Sequence, residues 1–174
     1  QAIDIPAWFS ETLLEFPEDA RDAARDGKRL MVYFGQDGCP YCKQLMQANF
    51  TQRAIVEKAR RHFVAVALNI WGDREVQWTD GRRMSEKELT RTLKIQYTPT
   101  LLFLDEKGAI VARLNGYYPP HRFTAALDYA AQQMLTGAVD AHLAGGGLVV
   151  AATHAPLGFA RSRELPLGSA ALAA

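Results

Sequence analysis

The segment Gly38-Cys39-Pro40-Tyr41-Cys42 holds the only two cysteines of the chain and closely follows a short apolar run, RLMVYFG, from Arg29 to Gly35. That run is partly β-branched, ends on glycine and reads as a buried strand. Pro40 suits the first turn of a helix, where its missing N–H is no loss. A strand that hands over to a helix at a CxxC restricts the fold, because it puts Cys39 at the N-cap with unpaired backbone amides and the positive end of the helix dipole directed at it. A cysteine so placed is favoured as the thiolate, with a pKa drawn down from about 8.5 into a range of roughly 3.5–7.5. Cys42, three residues on, falls on the same helical face and is placed to attack a mixed disulfide formed at Cys39.

The remaining elements alternate around this junction. PEDARDAARDGK (Pro17 to Lys28) predicts a surface helix with proline in its first turn. After the cysteines, Leu45, Met46 and Phe50 fall at helical spacing, and TQRAIVEKARRH continues or renews the helix. FVAVALNI (Phe63 to Ile70) is a second strand, and Ser85 with Glu88 forms a capping-box pattern that starts another helix. TLLFLD and AIVARLNG flank a turn at Asp105 to Gly108 and predict a hairpin. A closing helix is expected from His121 to Leu135, with Phe123, Leu127, Ala130 and Leu135 on its apolar face. The order α, β, α, β, α, β, β, α argues for an α/β fold, a central mixed sheet with helices on both faces.

Composition removes several classes of function. With 174 residues, 48% of them hydrophobic, the chain can build a real core without disulfide staples. Twenty basic against nineteen acidic residues leave a net charge of +1, which provides no general attraction to nucleic acid or to an anionic membrane. No apolar run approaches the roughly 18 residues of a membrane span. The chain begins with Gln rather than Met and shows no charged-then-apolar leader, so its start is expected to have been removed, either by design or by a signal peptidase, the second pointing to export.

YFGQDGCPYCKQL, followed more than fifty residues later by YTPTLLFLD, resembles the thioredoxin family, in which a CxxC at a helix start faces a cis-proline before the next strand. The resemblance spans about residues 10 to 135. More narrowly, NIWGDREVQW through MSEKELTRTLKIQYTPTLLFLDEKGAIVARLNGYYPP is similar to exported thioredoxin-like proteins of bacterial sulfur-oxidation and cytochrome c maturation systems. It implies a thioredoxin fold and a thiol–disulfide oxidoreductase that needs no cofactor beyond its own redox-active Cys39–Cys42 disulfide. Cys39 and Cys42 are then catalytic, and Pro40, Tyr41, Thr98 and Pro99 contact the substrate, with Thr98-Pro99 as the cis bond. The implied partners are disulfide-containing proteins and a membrane thiol donor, the implied compartment is the periplasm, and a monomer is expected. One position departs from the family: a buried Asp usually stands six residues before the first cysteine, and here that residue is Tyr33, so the proton relay to Cys42 does not carry over. Asp37 and Lys43 lie near the thiols in sequence and read either as tuning charges or as solvated ones.

The same two cysteines have other chemical uses. A zinc site needs about four ligands, and neither a second CxxC nor a finger-spaced pair among His62, His121, His142 and His154 supplies them. A structural disulfide closing so short a loop stabilises little. A copper(I) carrier using both thiolates, with Met46 one turn away, is the alternative from another class. Trp71, Trp78, Tyr117 and Tyr118 read either as a substrate groove or as packing at the sheet edge.

From Gly137 the composition turns to Ala, Gly and Leu, so residues 1–136 are expected to be the thioredoxin-like domain and 137–174 a poorly ordered tail. Within the tail, HLAGGGLVVAATHAPLG resembles the last strand and switch histidine, here His154, of the ATP-binding subunit of the cytochrome c haem exporter. No GxxxxGK[ST] is present in this chain, so the resemblance does not imply ATP hydrolysis.

Overall fold

The computed structural model describes residues 2–146, so the expectations placed on 147–174, His154 included, lie outside the described residues. Strands β1 (Arg29–Gly35), β2 (Phe63–Asn69), β5 (Thr100–Leu104) and β6 (Ile110–Asn115) form one sheet in the order β2-β1-β5-β6. β1 runs parallel to β2 and antiparallel to β5, and β6 returns antiparallel to β5, which makes the sheet mixed. Helices α1 (Phe16–Arg25), α2 (Pro40–Gln44), α3 (Arg53–His62), α4 (Glu86–Thr92) and α5 (Pro120–Ala144) complete the expected alternation.

Period-two alternation divides the central strands between two cores. Met31 and Tyr33 of β1, with Leu101 and Phe103 of β5, face Leu45, Ile55, Phe123 and Leu127 of α2 onward, α3 and α5. Leu30, Val32 and Phe34, with Leu102 and Leu104, face Phe16, Ala20 and Leu89 of α1 and α4. Because β1 is covered on both faces, its sequence is a continuous apolar run, and the helices flank the sheet on both sides. The capping box forms as expected: Ser85 Oγ accepts from the Glu88 N–H at 3.2 Å, and Glu88 Oε2 accepts from the Ser85 N–H at 2.9 Å.

Three features differ from expectation. A small hairpin, β3 (Glu75–Gln77) with β4 (Arg83–Ser85), lies between β2 and α4. It turns at Asp80-Gly81, where Gly81 takes φ +87° and Asp80 accepts from the Arg82 N–H. Aspartate followed by glycine is a recognised turn pair, and the flanking strands were too short and charged to stand out. Second, α2 passes without a break into a π-helical turn, Leu45–Asn49, before α3 begins. Third, α5 runs to Ala144 rather than ending near Leu135. Gly137 weakens a helix but does not stop one; the stop is Gly145-Gly146, where Gly146 adopts φ +87°, the left-handed C-terminal cap.

The chain divides into two compact units, Gln1–Met134 and Leu135–Ala174. The buried positions of α5 are Phe123, Leu127, Ala130 and Met134, an i, i+4, i+7, i+11 series. Leu135, expected on that face, is one step round the helix and 52% exposed. Leu127→Ala should therefore cost about 2–5 kcal/mol through the cavity it leaves, whereas Leu135→Ala should stay within about 0.5 kcal/mol. Urea unfolding of the two variants checks the contrast.

Candidate functional site

β1 delivers the chain to the site. It ends at Gly35, and the loop Gln36-Asp37-Gly38, with Gly38 at φ +73°, turns into Cys39 at the N-cap of α2. The Cys39 sulfur accepts a hydrogen bond from the Cys42 N–H at 3.1 Å, and the Cys39 carbonyl accepts the first helical bond from Lys43. Pro40 occupies the first helical position, as its missing donor allows. Cys39 and Cys42 are joined as a disulfide with Cα atoms 5.2 Å apart. Their burial is unequal: Cys39 is 7% exposed and Cys42 0%. An incoming group can reach only the first sulfur.

The loop before β5 closes over the same sulfur. The Thr98-Pro99 peptide is cis, and Cys39 Sγ lies 3.5 Å from the Thr98 carbonyl oxygen and 3.3 Å from its hydroxyl. Pro99 is buried, Pro40 is exposed, and Tyr41 stands 60% exposed with its ring stacked on Tyr117 at 6.4 Å. All six residues expected at the site, Cys39, Pro40, Tyr41, Cys42, Thr98 and Pro99, thus lie in or beside the disulfide segment and the cis-proline loop.

The aromatic cluster expected from sequence is split by the sheet. Trp78 packs on Phe16 in the opposite core, away from the disulfide. Trp71, 64% exposed, and the half-buried Tyr117 and Tyr118 are on the cysteine side. Tyr117 and Tyr118 are fixed by Asn49, a fully buried residue of the π turn: Asn49 Nδ2 donates to the Tyr118 carbonyl at 2.8 Å, and the Tyr117 hydroxyl donates to Asn49 Oδ1 at 3.0 Å. Met46 is a core residue in the same cluster as Cys42. Lys43 is exposed, and Asp37 accepts from the Ile3 N–H.

Trp71 stands on a loop clamped by a buried carboxylate that sequence reasoning missed. Glu86 opens α4 and is 1% exposed. Its oxygens accept from the Asn69 N–H at 2.7 Å, from the Arg74 N–H at 3.3 Å and from the Arg74 guanidinium at 2.9 and 3.0 Å. Charge-assisted bonds of this number are what a buried carboxylate requires. Gly72 is obligatory in the clamp, because a Cβ there would overlap the Glu86 carboxylate. Among the described residues there is no group of three or more His, Cys, Asp or Glu side chains that could hold a metal ion, and no helix long and apolar enough to cross a membrane.

The thioredoxin-like domain family matches residues 16–131, the span that contains both sulfurs and the cis-proline loop. The chain belongs to the thioredoxin-like family. With its CxxC pair in that fold, it is a thiol–disulfide oxidoreductase. It is similar to the solution structure of a thioredoxin from Thermus thermophilus, 25% identical with a TM-score of 0.56 over 74% of this chain and 92% of that one. It is also similar to a putative disulphide-isomerase from Bacteroides thetaiotaomicron, 26% identical with a TM-score of 0.55 over 76% and 95% of the two chains. A stretch of 44 residues is 57% identical to the cytochrome c biogenesis ATP-binding export protein CcmA of Rhizobium meliloti, in keeping with the likeness of the tail. That stretch is 25% of this chain and spans about a fifth of the length of the exporter subunit, 21%.

Within this thioredoxin-like frame Tyr33 is the unusual residue. It is buried in the core cluster of Cys42, and its hydroxyl has no hydrogen-bond partner among the described residues. The ring lies over Gly35, where any Cβ would collide with it. Beside it is a cavity of about 130 Å3 lined by Gln36, Asp37, Asn69 and Arg74. Burial, with a smaller contribution from Asp37, pushes the Tyr33 phenol up to about 12. A pKa raised on folding favours the neutral phenol, so the stability it contributes is full below the ordinary value near 10 and is lost as pH climbs from there to about 12. Tyr33→Phe removes both the unpartnered hydroxyl and this titration. It should be more stable than wild type by on the order of 1 kcal/mol at pH 8, with the gap widening from pH 10 to 12 in urea unfolding. A Phe variant less stable than wild type at pH 8 would mean that the hydroxyl is satisfied.

Proposed function

We propose that the chain is a disulfide reductant in which Cys39 is the attacking sulfur and Cys42 the resolving one. The observation that carries this reading is the inequality of the two sulfurs: Cys39 keeps 7% exposure and accepts a hydrogen bond from the Cys42 N–H, while Cys42 is fully buried. In the reduced protein the Cys39 thiolate attacks one sulfur of a substrate disulfide. That S–S bond breaks, its second sulfur leaves as a thiolate, and a mixed disulfide to Cys39 forms. The Cys42 thiolate then attacks Cys39 Sγ, closing the intramolecular disulfide and releasing the other substrate sulfur. Two electrons have passed to the substrate, and a dithiol donor restores the reduced pair.

Pro40, Tyr41, Thr98 and Pro99 position the substrate chain, which lies along the loop before β5 with its disulfide over Cys39. The segment Tyr97-Thr98 supplies backbone groups for this, in the manner of an added strand. The redox pair is the sole carrier of electrons, so no cofactor is required. Its environment favours reduction of substrates over their oxidation: the dipeptide between the cysteines is Pro-Tyr, with no histidine to hold the thiolate. Tyr33 in place of a buried carboxylate acts modestly the other way, so the pair is somewhat less reducing than thioredoxin.

The likeness of the tail to a haem-exporter subunit and the resemblance to exported thioredoxin-like proteins support a periplasmic role, with a membrane thiol donor upstream. Disulfides of apocytochrome c or of a sulfur carrier are the substrates of that setting. The chain acts as a monomer. Residues 1–136 suffice for the activity, although α5 continues past that point to Ala144.

Cysteine variants test the roles directly. Cys39→Ser should abolish insulin reduction. Cys42→Ser should retain the attack and accumulate a mixed disulfide visible by mass spectrometry. Faster alkylation of Cys42 than of Cys39 at neutral pH would reverse the assignment. Stoichiometric copper(I) retained through a desalting column, without catalysed insulin reduction, would favour a metal carrier that uses the same two sulfurs.

A further inference from the structure

A directed chain of hydrogen bonds runs from the protein surface to Cys39. Trp71 Nε1 lies 2.8 Å from Gln36 Oε1, Gln36 Nε2 lies 2.9 Å from Thr98 Oγ1, and Thr98 Oγ1 lies 3.3 Å from Cys39 Sγ. The direction follows from the chemistry of the groups. An indole N–H can only donate, so the Gln36 atom facing it is the carbonyl oxygen. The amide nitrogen therefore faces Thr98, and an amide NH2 also can only donate. Thr98 Oγ1 must accept from Gln36, which leaves its own proton free to be directed at the Cys39 sulfur.

We infer that Gln36, oriented by Trp71, is a positioning residue that makes Thr98 a donor to the Cys39 thiolate and thereby sets the redox poise of the pair. The inference rests on Cys39 being the reactive sulfur. In the disulfide the Thr98 O–H meets a weak acceptor; in the dithiol form it meets a charged one, and a charge-assisted bond is the stronger. The chain thus stabilises the reduced state selectively and shifts the pair toward the oxidising side. It adds a second donor to the Cys42 N–H, which accompanies any cysteine at a helix start. Without Gln36 the Thr98 hydroxyl can turn to other acceptors, including its own backbone.

Trp71 is built in from both sides. Its own N–H donates to Asn69 Oδ1 at 3.0 Å, and the next N–H, of Gly72, donates to the Asn69 carbonyl at 3.0 Å. Asn69 and Arg74 are in turn held by Glu86. The charged side chains of the neighbouring segments are engaged elsewhere or face solvent. Asp37 accepts from the Ile3 N–H, Arg74 is paired with Glu86, Arg122 lies over the Tyr118 ring, and Lys43 faces solvent.

The test is the equilibrium of the Cys39–Cys42 pair with glutathione, together with the rate of Cys39 alkylation at pH 7, in Gln36→Leu, Trp71→Phe and Thr98→Val proteins. Gln36→Leu should shift the equilibrium toward the oxidised protein by about threefold to tenfold, the effect of one hydrogen bond to a charged group, and slow alkylation by a similar factor. Trp71→Phe, at an exposed position that does not threaten folding, should shift both in the same direction by a smaller factor. In a Thr98→Val background, Gln36→Leu should add nothing, because the two act through one proton. An unchanged equilibrium in both Gln36→Leu and Trp71→Phe would overturn the inference, as would an equal effect of Gln36→Leu in the two Thr98 backgrounds. Preferential alkylation of Cys42 in the wild-type protein would instead sink the assignment of the attacking sulfur, since the equilibrium measurement does not depend on which sulfur attacks.

Discussion

The site depends on β1 being hydrogen-bonded along both edges. Phe34 lies opposite Leu68 of β2 and Thr100 of β5, and Gly35 lies opposite Asn69. Because β2 is parallel to β1 and β5 is antiparallel, the end of β1, the end of β2 and the start of β5 meet at one edge of the sheet. The loops that leave or enter there carry Gln36 and Cys39, Trp71, and Thr98 with Pro99. A crevice beyond the carboxyl ends of parallel strands is the general location of sites in α/β sheets. The register is secured by burial, since Leu30, Met31, Val32 and Phe34 are removed from water and a slip of one residue would exchange the two cores.

Everything that distinguishes the two sulfurs follows from that edge. The N-cap position leaves Cys39 slightly open and offers it the amide of Cys42, while α2 carries Cys42 into the core with Leu45 and Phe50. Two buried polar residues then stiffen the surroundings. Asn49 ties the π turn to the Tyr117-Tyr118 segment, and Glu86 ties the loop after β2 to α4. Each is fully buried and multiply bonded, so neither position tolerates loss of one partner without leaving an unsatisfied polar group.

What could be read in the sequence was local. The CPYC segment, the strand before it, the Thr98-Pro99 dipeptide, the Asp105 to Gly108 turn and the Ser85 to Glu88 capping box all carry their signal within a few residues. Glu86 escaped notice because a glutamate in the first turn of a helix is the usual surface complement to the dipole, and only the tertiary fold shows it buried against Gly72. Gln36 escaped because its partner Thr98 is 62 residues away, and a glutamine in a loop has no periodicity to betray it. The length of α5 is hidden for a different reason: the composition shifts at Gly137, but the helix ends where a glycine adopts a left-handed conformation.

In the proposed role this pair gives electrons to substrates while being held less reducing than thioredoxin by Tyr33 in place of a buried carboxylate and by the Thr98 hydroxyl at Cys39. The reduction potential of the Cys39–Cys42 couple tests it most directly. Equilibration with glutathione should place it above the roughly −270 mV of thioredoxin and below about −150 mV. A value above about −150 mV, toward the −120 mV of the strongest periplasmic oxidant, would make the protein an oxidant rather than a reductant.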